Sequence, residues 1–209
     1  MKRIFTWGSF VVIIGLVVWG LIAAEKKANR EGATLLLPDQ IVATDHIRGS
    51  ETATVTLVEY GDFQCPACAY YHPLIEQLIT SNSSTTLRFV FRHFPLTNHA
   101  NAMPAAQSAE AAGKQGKFWE MYSMIYENQK AWESSTTAKN IFIGYAKELG
   151  LDEAKFMADY ESDETKNKIS NDHRGGLKAG VNSTPTFFVN GKKINNPQSY
   201  DEFKKALGL

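Results

Sequence analysis

The chain has 209 residues, with 22 basic against 22 acidic side chains and 44% hydrophobic residues. This composition excludes an intrinsically disordered chain, because apolar residues are plentiful enough to build a core. Its two cysteines exclude a disulfide-stapled mini-protein, and its zero net charge argues against a strongly basic nucleic-acid binder. At about 150 residues per domain, the length predicts one globular domain.

The first element along the chain is an uncharged apolar run of 21 residues, Ile4–Ala24. As a helix it would measure about 31 Å, which matches the ~30 Å hydrocarbon core of a bilayer. A cleaved secretory signal is the alternative, but its apolar core is usually about 7–15 residues long. A cut after Ala24 would also place Ile22 where a small residue is needed. We therefore predict a retained transmembrane anchor over residues 1–24, followed by a tether over residues 25–44.

The rest of the chain, residues 45–209, is predicted to form an α/β domain. The β-branched stretch Ala53–Tyr60 predicts a buried strand, and Thr86–Phe91 predicts a second one. Between them, Pro66 follows Cys65 directly. Proline suits the first turn of a helix, where its missing N–H costs nothing, so a helix is expected to begin there.

From about residue 98 to residue 180 the apolar period becomes helical, which predicts a helical insertion within the α/β domain. The chain then returns to a strand at Thr186–Val189, and Asn190-Gly191 predicts a two-residue hairpin turn after it. A short helix over Ser199–Leu207 is predicted to close the fold.

The two cysteines form a Cys-x-x-Cys unit, Cys65-Pro66-Ala67-Cys68. As a structural clip it would contribute little, because closing a loop of about four residues gives only about 2 kcal/mol. As a metal site it lacks two ligands, although His72 offers one more, so a Cu/Zn-binding carrier using Cys65, Cys68 and His72 remains an alternative. Redox cycling explains the unit best.

The position of Cys65 at a helix N-terminus favours its thiolate, because unpaired backbone N–H groups and the helix dipole face it. We expect Cys65 to be the exposed nucleophile and leaving group. Cys68, one turn further along the helix, is expected to be the resolving thiol.

Two further side chains near the cysteines each have two interpretations. Glu59 lies on the first predicted strand: pointing inward it is a candidate proton relay to Cys68, and pointing outward it faces solvent. His72 either tunes Cys65 or stands on the surface of the helix, and the surface position is favoured.

Three motifs together resemble the DsbA-like thiol–disulfide oxidoreductases of the thioredoxin superfamily. They are VEYGDFQCPAC at residues 58–68, FRHFPL at residues 91–96 and TPTFFVNG at residues 184–191. The resemblance covers about residues 45–209 with the motifs in the right order. It implies a thioredoxin-like fold with a helical insertion, here preceded by one transmembrane helix.

The resemblance also implies how a substrate is bound. In that family the proline that matches Pro185 is cis and stands beside the active disulfide. The backbone at Thr184 would pair with an extended substrate segment, and Pro66 and Ala67 would complete the contact. The resemblance implies no cofactor and no metal.

The Cys65–Cys68 pair is compatible with oxidation, reduction or isomerisation of substrate disulfides. Residues 25–44 are too short for the dimerisation domain of the isomerases, which favours a monomeric oxidase over a reductase or isomerase. The expected substrates are cysteine-containing exported proteins, because a catalytic domain outside the cytoplasm meets thiols that must be paired. By family analogy a membrane partner of the DsbB or VKOR type would reoxidise it. We thus expect a single-pass protein of the cell membrane.

Overall fold

A mixed five-stranded sheet forms the centre of the computed structural model, which describes residues 40–209. The strands in chain order are β1 (His46–Arg48), β2 (Val55–Gly61), β3 (Leu87–His93), β4 (Thr186–Val189) and β5 (Lys192–Lys193). Their order across the sheet is β1-β3-β2-β4-β5, so β2 is the central strand. It runs parallel to β3 and antiparallel to β4.

Eight helices surround this sheet in the described residues. They are α1 (Pro66–Ser81), α2 (Ala102–Gly113), α3 (Phe118–Glu127), α4 (Gln129–Trp132), α5 (Ala138–Glu148), α6 (Glu153–Glu161), α7 (Asp163–Lys178) and α8 (Tyr200–Leu207). The first of them makes the crossover between the parallel strands β2 and β3, as parallel pairing requires. The next six lie between β3 and β4, where the helical insertion is expected.

Both faces of the central strand are buried. Leu57 and Glu59 point to one face and Val58 and Tyr60 to the other, because successive side chains of a strand alternate. The first face joins the larger core, which also receives Cys68 and Ile75 of α1. The active helix is therefore packed directly against the sheet.

The predicted helix start and hairpin agree with the structure. Helix α1 begins at Pro66, and the turn after β4 has positive φ angles at both Asn190 (47°) and Gly191 (78°). Such a turn matches the twist of a hairpin. The short edge strand β1 was not predicted, because three half-buried residues are too few for an alternation signal.

The predicted transmembrane segment, Ile4–Ala24, lies outside the described residues, as does nearly all of the tether. Between residues 40 and 209 no helix has the length and apolar character needed to cross a bilayer.

Candidate active site

Cys65 and Cys68 lie at the N-terminus of α1, immediately after the central strand. Cys65 is the N-cap residue, with extended backbone angles, and Pro66 occupies the first helical position. Both cysteines are free thiols. Cys65 is 7% exposed and Cys68 1% exposed. Cys65 was expected to be exposed, but it is largely buried, because the Thr184 segment lies against it.

The environment of Cys65 favours its thiolate. A hydrogen bond from the Cys68 thiol is the largest cause, and it lowers the pKa of Cys65 to about 5 although burial opposes the charge. The Thr184 side chain and the backbone N–H groups of Cys68 and Ala67 lower it further. At neutral pH Cys65 is thus almost entirely thiolate, with the helix N-terminus contributing as expected.

Cys68 is affected in the opposite direction. Burial, followed by the hydrogen bond to Cys65 and the charges of Glu59 and Cys65, raises its pKa well above the ordinary value. The backbone N–H of Asp62 donates to the Cys68 sulfur at 3.5 Å. The two thiols of one motif therefore differ strongly in acidity, and Cys68 stays protonated.

Glu59 points inward, into the same buried layer as Cys68. It is fully buried, and neither of its carboxylate oxygens makes a hydrogen bond. Burial and then the charge of Cys65 raise the pKa of Glu59 to about 8, while the nearby Tyr122 hydroxyl opposes the rise. Gly61 leaves room for this carboxyl, because a Cβ there would lie 3.0 Å from Glu59 Oε1.

The segment that carries Thr184 and Pro185 faces the cysteines. The Thr184–Pro185 peptide bond is cis. Cys65 Sγ lies 3.3 Å from the Thr184 carbonyl oxygen, across 119 residues of sequence, and donates to it only in the protonated thiol form. Between the cysteines, Pro66 and Ala67 are exposed at the surface. The structure thus places Thr184 against Cys65, while the substrate contact itself stays a prediction.

A set of polar residues that sequence reasoning missed holds the turn before Cys65. The Asp62 carboxylate accepts from the backbone N–H groups of Gln64 and Leu96, at 2.7 and 2.9 Å, and from His99 at 2.7 Å. Gln129 of α4 donates to the carbonyl oxygens of Phe63 and Cys65 at 2.7 and 3.0 Å. No local pattern could reveal these contacts, because Gln129 lies more than 60 residues from its partners.

His72 is buried rather than on the helix surface, so the favoured interpretation was wrong. It is 5% exposed, packs against Tyr122 and Tyr126, and lies 3.4 Å from the Ser123 hydroxyl. The trio of the alternative metal-carrier interpretation is not assembled: among the described residues, the group of three candidate metal ligands close to one another is His46, His93 and Glu110.

A family model described as Thioredoxin matches residues 42–208. Three solved structures share the fold. BdbD from Bacillus subtilis has a TM-score of 0.72 at 23% identity, and the match covers 83% of this chain and 96% of that one. α-DsbA1 from Wolbachia pipientis has a TM-score of 0.72 at 20% identity, covering 84% and 94%. A thioredoxin-like oxidoreductase from Silicibacter pomeroyi DSS-3 has a TM-score of 0.69 at 24% identity, covering 80% and 92%.

Curated relatives with higher sequence identity carry another name. The Na(+)/H(+) antiporter NhaA 1 of Salinispora arenicola is 38% identical over 200 residues, which is 91% of this chain. NhaA of Herminiimonas arsenicoxydans is 36% identical over 195 residues. This chain spans only about 30% of the length of either relative. The family match and the fold together show that the chain belongs to the thioredoxin family and has the fold of the DsbA-type thiol–disulfide oxidoreductases.

Proposed function

We propose that the protein is a thiol–disulfide oxidoreductase that donates its Cys65–Cys68 disulfide to cysteine-containing exported proteins. The observation that carries this proposal is the opposite acidity of the two thiols. Stabilising the Cys65 thiolate stabilises the reduced protein, and a stabilised reduced form makes the corresponding disulfide a stronger oxidant. A low pKa also makes Cys65 a good leaving group.

The exchange takes place in two displacements. A substrate thiolate attacks Cys65 Sγ, the Cys65–Cys68 bond breaks, and its electron pair goes to Cys68, which takes up a proton. A second substrate thiolate then attacks the substrate sulfur of the mixed disulfide, and Cys65 leaves as a thiolate. Two electrons pass to the enzyme, while the substrate thiols lose two protons, one retained by Cys68 and one released to solvent.

Glu59 is suited to supply the proton that Cys68 needs. It shares the buried layer with Cys68, and its raised pKa keeps it mostly protonated at neutral pH. A buried acid poised near the working pH is an efficient proton donor. We therefore assign Glu59 as the proton relay, and Thr184 with Pro185, Pro66 and Ala67 as the substrate contact.

The reduction potential tests the direction of the reaction. We expect a value near −120 mV from equilibration with glutathione, as for a strong oxidant, whereas a value near −270 mV would indicate a reductant and overturn the oxidase assignment. Refolding assays on reduced and on scrambled ribonuclease separate an oxidase from an isomerase. Given a substrate that carries a disulfide, a Cys68→Ser chain should keep the substrate as a mixed disulfide on Cys65, whereas a Cys65→Ser chain should form none.

We further propose that residues 1–24 anchor the protein in the cell membrane as a single pass, with a monomeric catalytic domain outside the cytoplasm. The uncharged length of Ile4–Ala24 supports this proposal. A quinone-linked membrane protein of the DsbB or VKOR type would then reoxidise the cysteines. Membrane fractionation and the intact mass of the mature chain test the anchor, because a cleaved signal would leave a soluble protein that lacks the segment.

The antiporter relatives are matched over only about 30% of their length, so the ion transport that their names state is not carried over to this chain.

A further inference from the structure

Three side chains outside the cysteine site converge on one point in the described part of the chain. They are His46 of the edge strand β1, His93 at the end of β3 and Glu110 of α2. Glu110 Oε1 lies 2.8 Å from His46 Nε2 and 2.7 Å from His93 Nε2. The three atoms all lie within 4.8 Å of one another. We call them the His–His–Glu cluster.

Aromatic side chains hold the two imidazoles of the cluster in place. The His46 ring stacks on Phe118 with a centroid distance of 3.4 Å and an interplanar angle of 6°. The His93 ring meets Phe91 and Phe118 edge-on at 5.3 and 6.1 Å. Both Nε2 atoms are thus aimed at Glu110 by packing, which is the preorganisation that a ligand site needs.

The carboxylate of Glu110 is a buried charge with no basic partner other than the imidazoles. Its side chain is 8% exposed, and among the described residues no lysine or arginine pairs with it. The two lysines that line the same cavity pair with other carboxylates, Lys114 with Glu164 and Lys168 with Asp172. A buried carboxylate is costly unless hydrogen bonds and a cation compensate it, and a metal ion held by the same three side chains would supply that cation.

A cavity gives the cluster an open side. Its volume is about 660 Å³, and His46 and Glu110 form part of its wall together with Thr44, Thr165 and Asn171. The Thr165 hydroxyl is buried and makes no hydrogen bond. An ion could enter from this side, and water could occupy a fourth coordination position.

We propose that His46, His93 and Glu110 bind one divalent transition-metal ion, with Zn²⁺ as the best fit. Two imidazole nitrogens and one carboxylate oxygen form a ligand set that Zn²⁺ accepts in tetrahedral geometry, with water as the fourth ligand. Ca²⁺ and Mg²⁺ prefer oxygen ligands alone. Bonds of about 2.0–2.2 Å would require the ligand atoms, now 2.7–2.8 Å from Glu110 Oε1, to move to about 3.3 Å apart.

The metal would fasten three elements that are distant in sequence. It would tie the edge strand β1 to β3 and to the helical block through α2. Binding to the folded state alone stabilises it by mass action. The expected role is therefore structural and independent of the thiol chemistry at Cys65.

The test is a Zn²⁺ titration of the full-length chain in detergent, with Cys65 and Cys68 oxidised so that no thiolate competes for the ion. We expect one equivalent to bind and the melting temperature to rise by about 5–10 °C at a hundredfold excess over Kd. His46→Gln and Glu110→Gln should each weaken binding by about 100-fold or more, because loss of even an outer partner costs about 10–100-fold. His173→Gln, which removes a histidine outside the cluster, is the matched control and should bind normally.

Co²⁺ gives a second measurement. Bound to the oxidised protein, it should show the visible bands of a tetrahedral site without thiolate charge transfer. If Glu110→Gln fails to fold, Zn²⁺ binding by His46→Gln tests the proposal alone. His46 is half-buried on the short edge strand β1, so its replacement should be tolerated by the fold. The proposal is overturned if the oxidised chain binds no Zn²⁺, which would leave a purely hydrogen-bonded triad, or if both glutamine variants bind as the native chain does.

Discussion

At the scale of single residues, the contrast between two thiols three positions apart dominates the site. The Cys68 thiol, the nearby Thr184 side chain and the helix N-terminus each lower the pKa of Cys65, so its charge is stabilised. Cys68 lies one turn deeper, where burial and the negative groups around it oppose ionisation. The acidity of each thiol is therefore set by the hydrogen bond between the two thiols together with the burial and contacts at each position.

Thr184→Val should raise the pKa of Cys65 above about 5, toward the ordinary value of 9.0, because it removes a side chain that favours the thiolate. The carbonyl contact at 3.3 Å would remain, so the change isolates the hydroxyl. The rate of alkylation against pH measures this shift. Ser183→Ala, at the exposed neighbouring position, is the control and should leave the midpoint of the alkylation-rate profile against pH unchanged. An unaltered midpoint in the valine variant would contradict the role given to Thr184.

Glu59→Gln should stabilise the reduced protein at pH 7 and slow its chemistry. The folded pKa of about 8 lies above the ordinary 4.5, so this group favours folding only below about pH 4.5. Its contribution is lost as the pH rises toward 8. We expect a gain of about 1–3 kcal/mol in the free energy of unfolding at pH 7, and almost none at pH 4.

The same variant cannot pass a proton to Cys68, so the oxidation of substrate thiols should slow by about 10-fold or more. Urea unfolding at the two pH values and stopped-flow oxidation of a model peptide measure the two effects. A glutamine variant that is less stable at pH 7, or fully active, would contradict the assignment.

At the scale of elements, the first turn of α1 is held from outside the helix. Cys65 caps the helix without a side-chain hydrogen bond, and Pro66 donates none. Gln129 of α4 holds this turn from the other side, because its side-chain amide donates to the carbonyl oxygens of Phe63 and Cys65. The helical block therefore positions the reactive turn, which explains why a helix of four residues matters to the site.

Gln129→Ala should cost about 1–3 kcal/mol of stability, because it leaves the buried Phe63 carbonyl without its hydrogen bond. The position of Cys65 should also loosen, so the pH dependence of its alkylation should change. Gln107→Ala is the matched control: Gln107 is also buried, and donates to the Tyr160 carbonyl at 2.9 Å. We expect a similar loss of stability there with unchanged Cys65 reactivity, and an equal effect on reactivity would refute the positioning role.

At the scale of the whole molecule, a buried ion pair attaches the start of the described chain to the sheet. Arg92 of β3 donates to both carboxylate oxygens of Asp45, at 2.9 and 2.8 Å, and to the Tyr60 hydroxyl at 3.1 Å. Both charged side chains are fully buried. The segment before β1 is thereby held against the sheet face opposite Glu59 and Cys68.

Asp45→Ala should destabilise the fold by about 3–5 kcal/mol, because it leaves the Arg92 charge buried without its carboxylate. Glu120→Ala, which removes the half-exposed pair with Lys117, should change stability by no more than about 1 kcal/mol. Urea unfolding of both variants measures the difference, and the alkylation profile of Cys65 should stay the same in each. Equal losses of unfolding free energy in the two variants would show that burial does not determine how much each ion pair contributes to stability.

Short-range patterns in the sequence were sufficient for the reactive pair and for most of the elements. Pro66 after Cys65 marked the start of α1, and Asn190-Gly191 marked the hairpin, because proline and glycine restrict or release the backbone at their own positions. The three motifs at residues 58–68, 91–96 and 184–191 also indicated the family. These signals are local, so they need no knowledge of the tertiary contacts.

Only the tertiary structure decided which way Glu59 points, that His72 is buried and that Cys65 is largely covered. It also revealed Gln129 and the His–His–Glu cluster, whose members are separated by up to 64 residues in the sequence. The strand and helix periods show which residues share a face. They do not show which distant segment covers that face, and it is this covering that sets the burial and the acidity of each group.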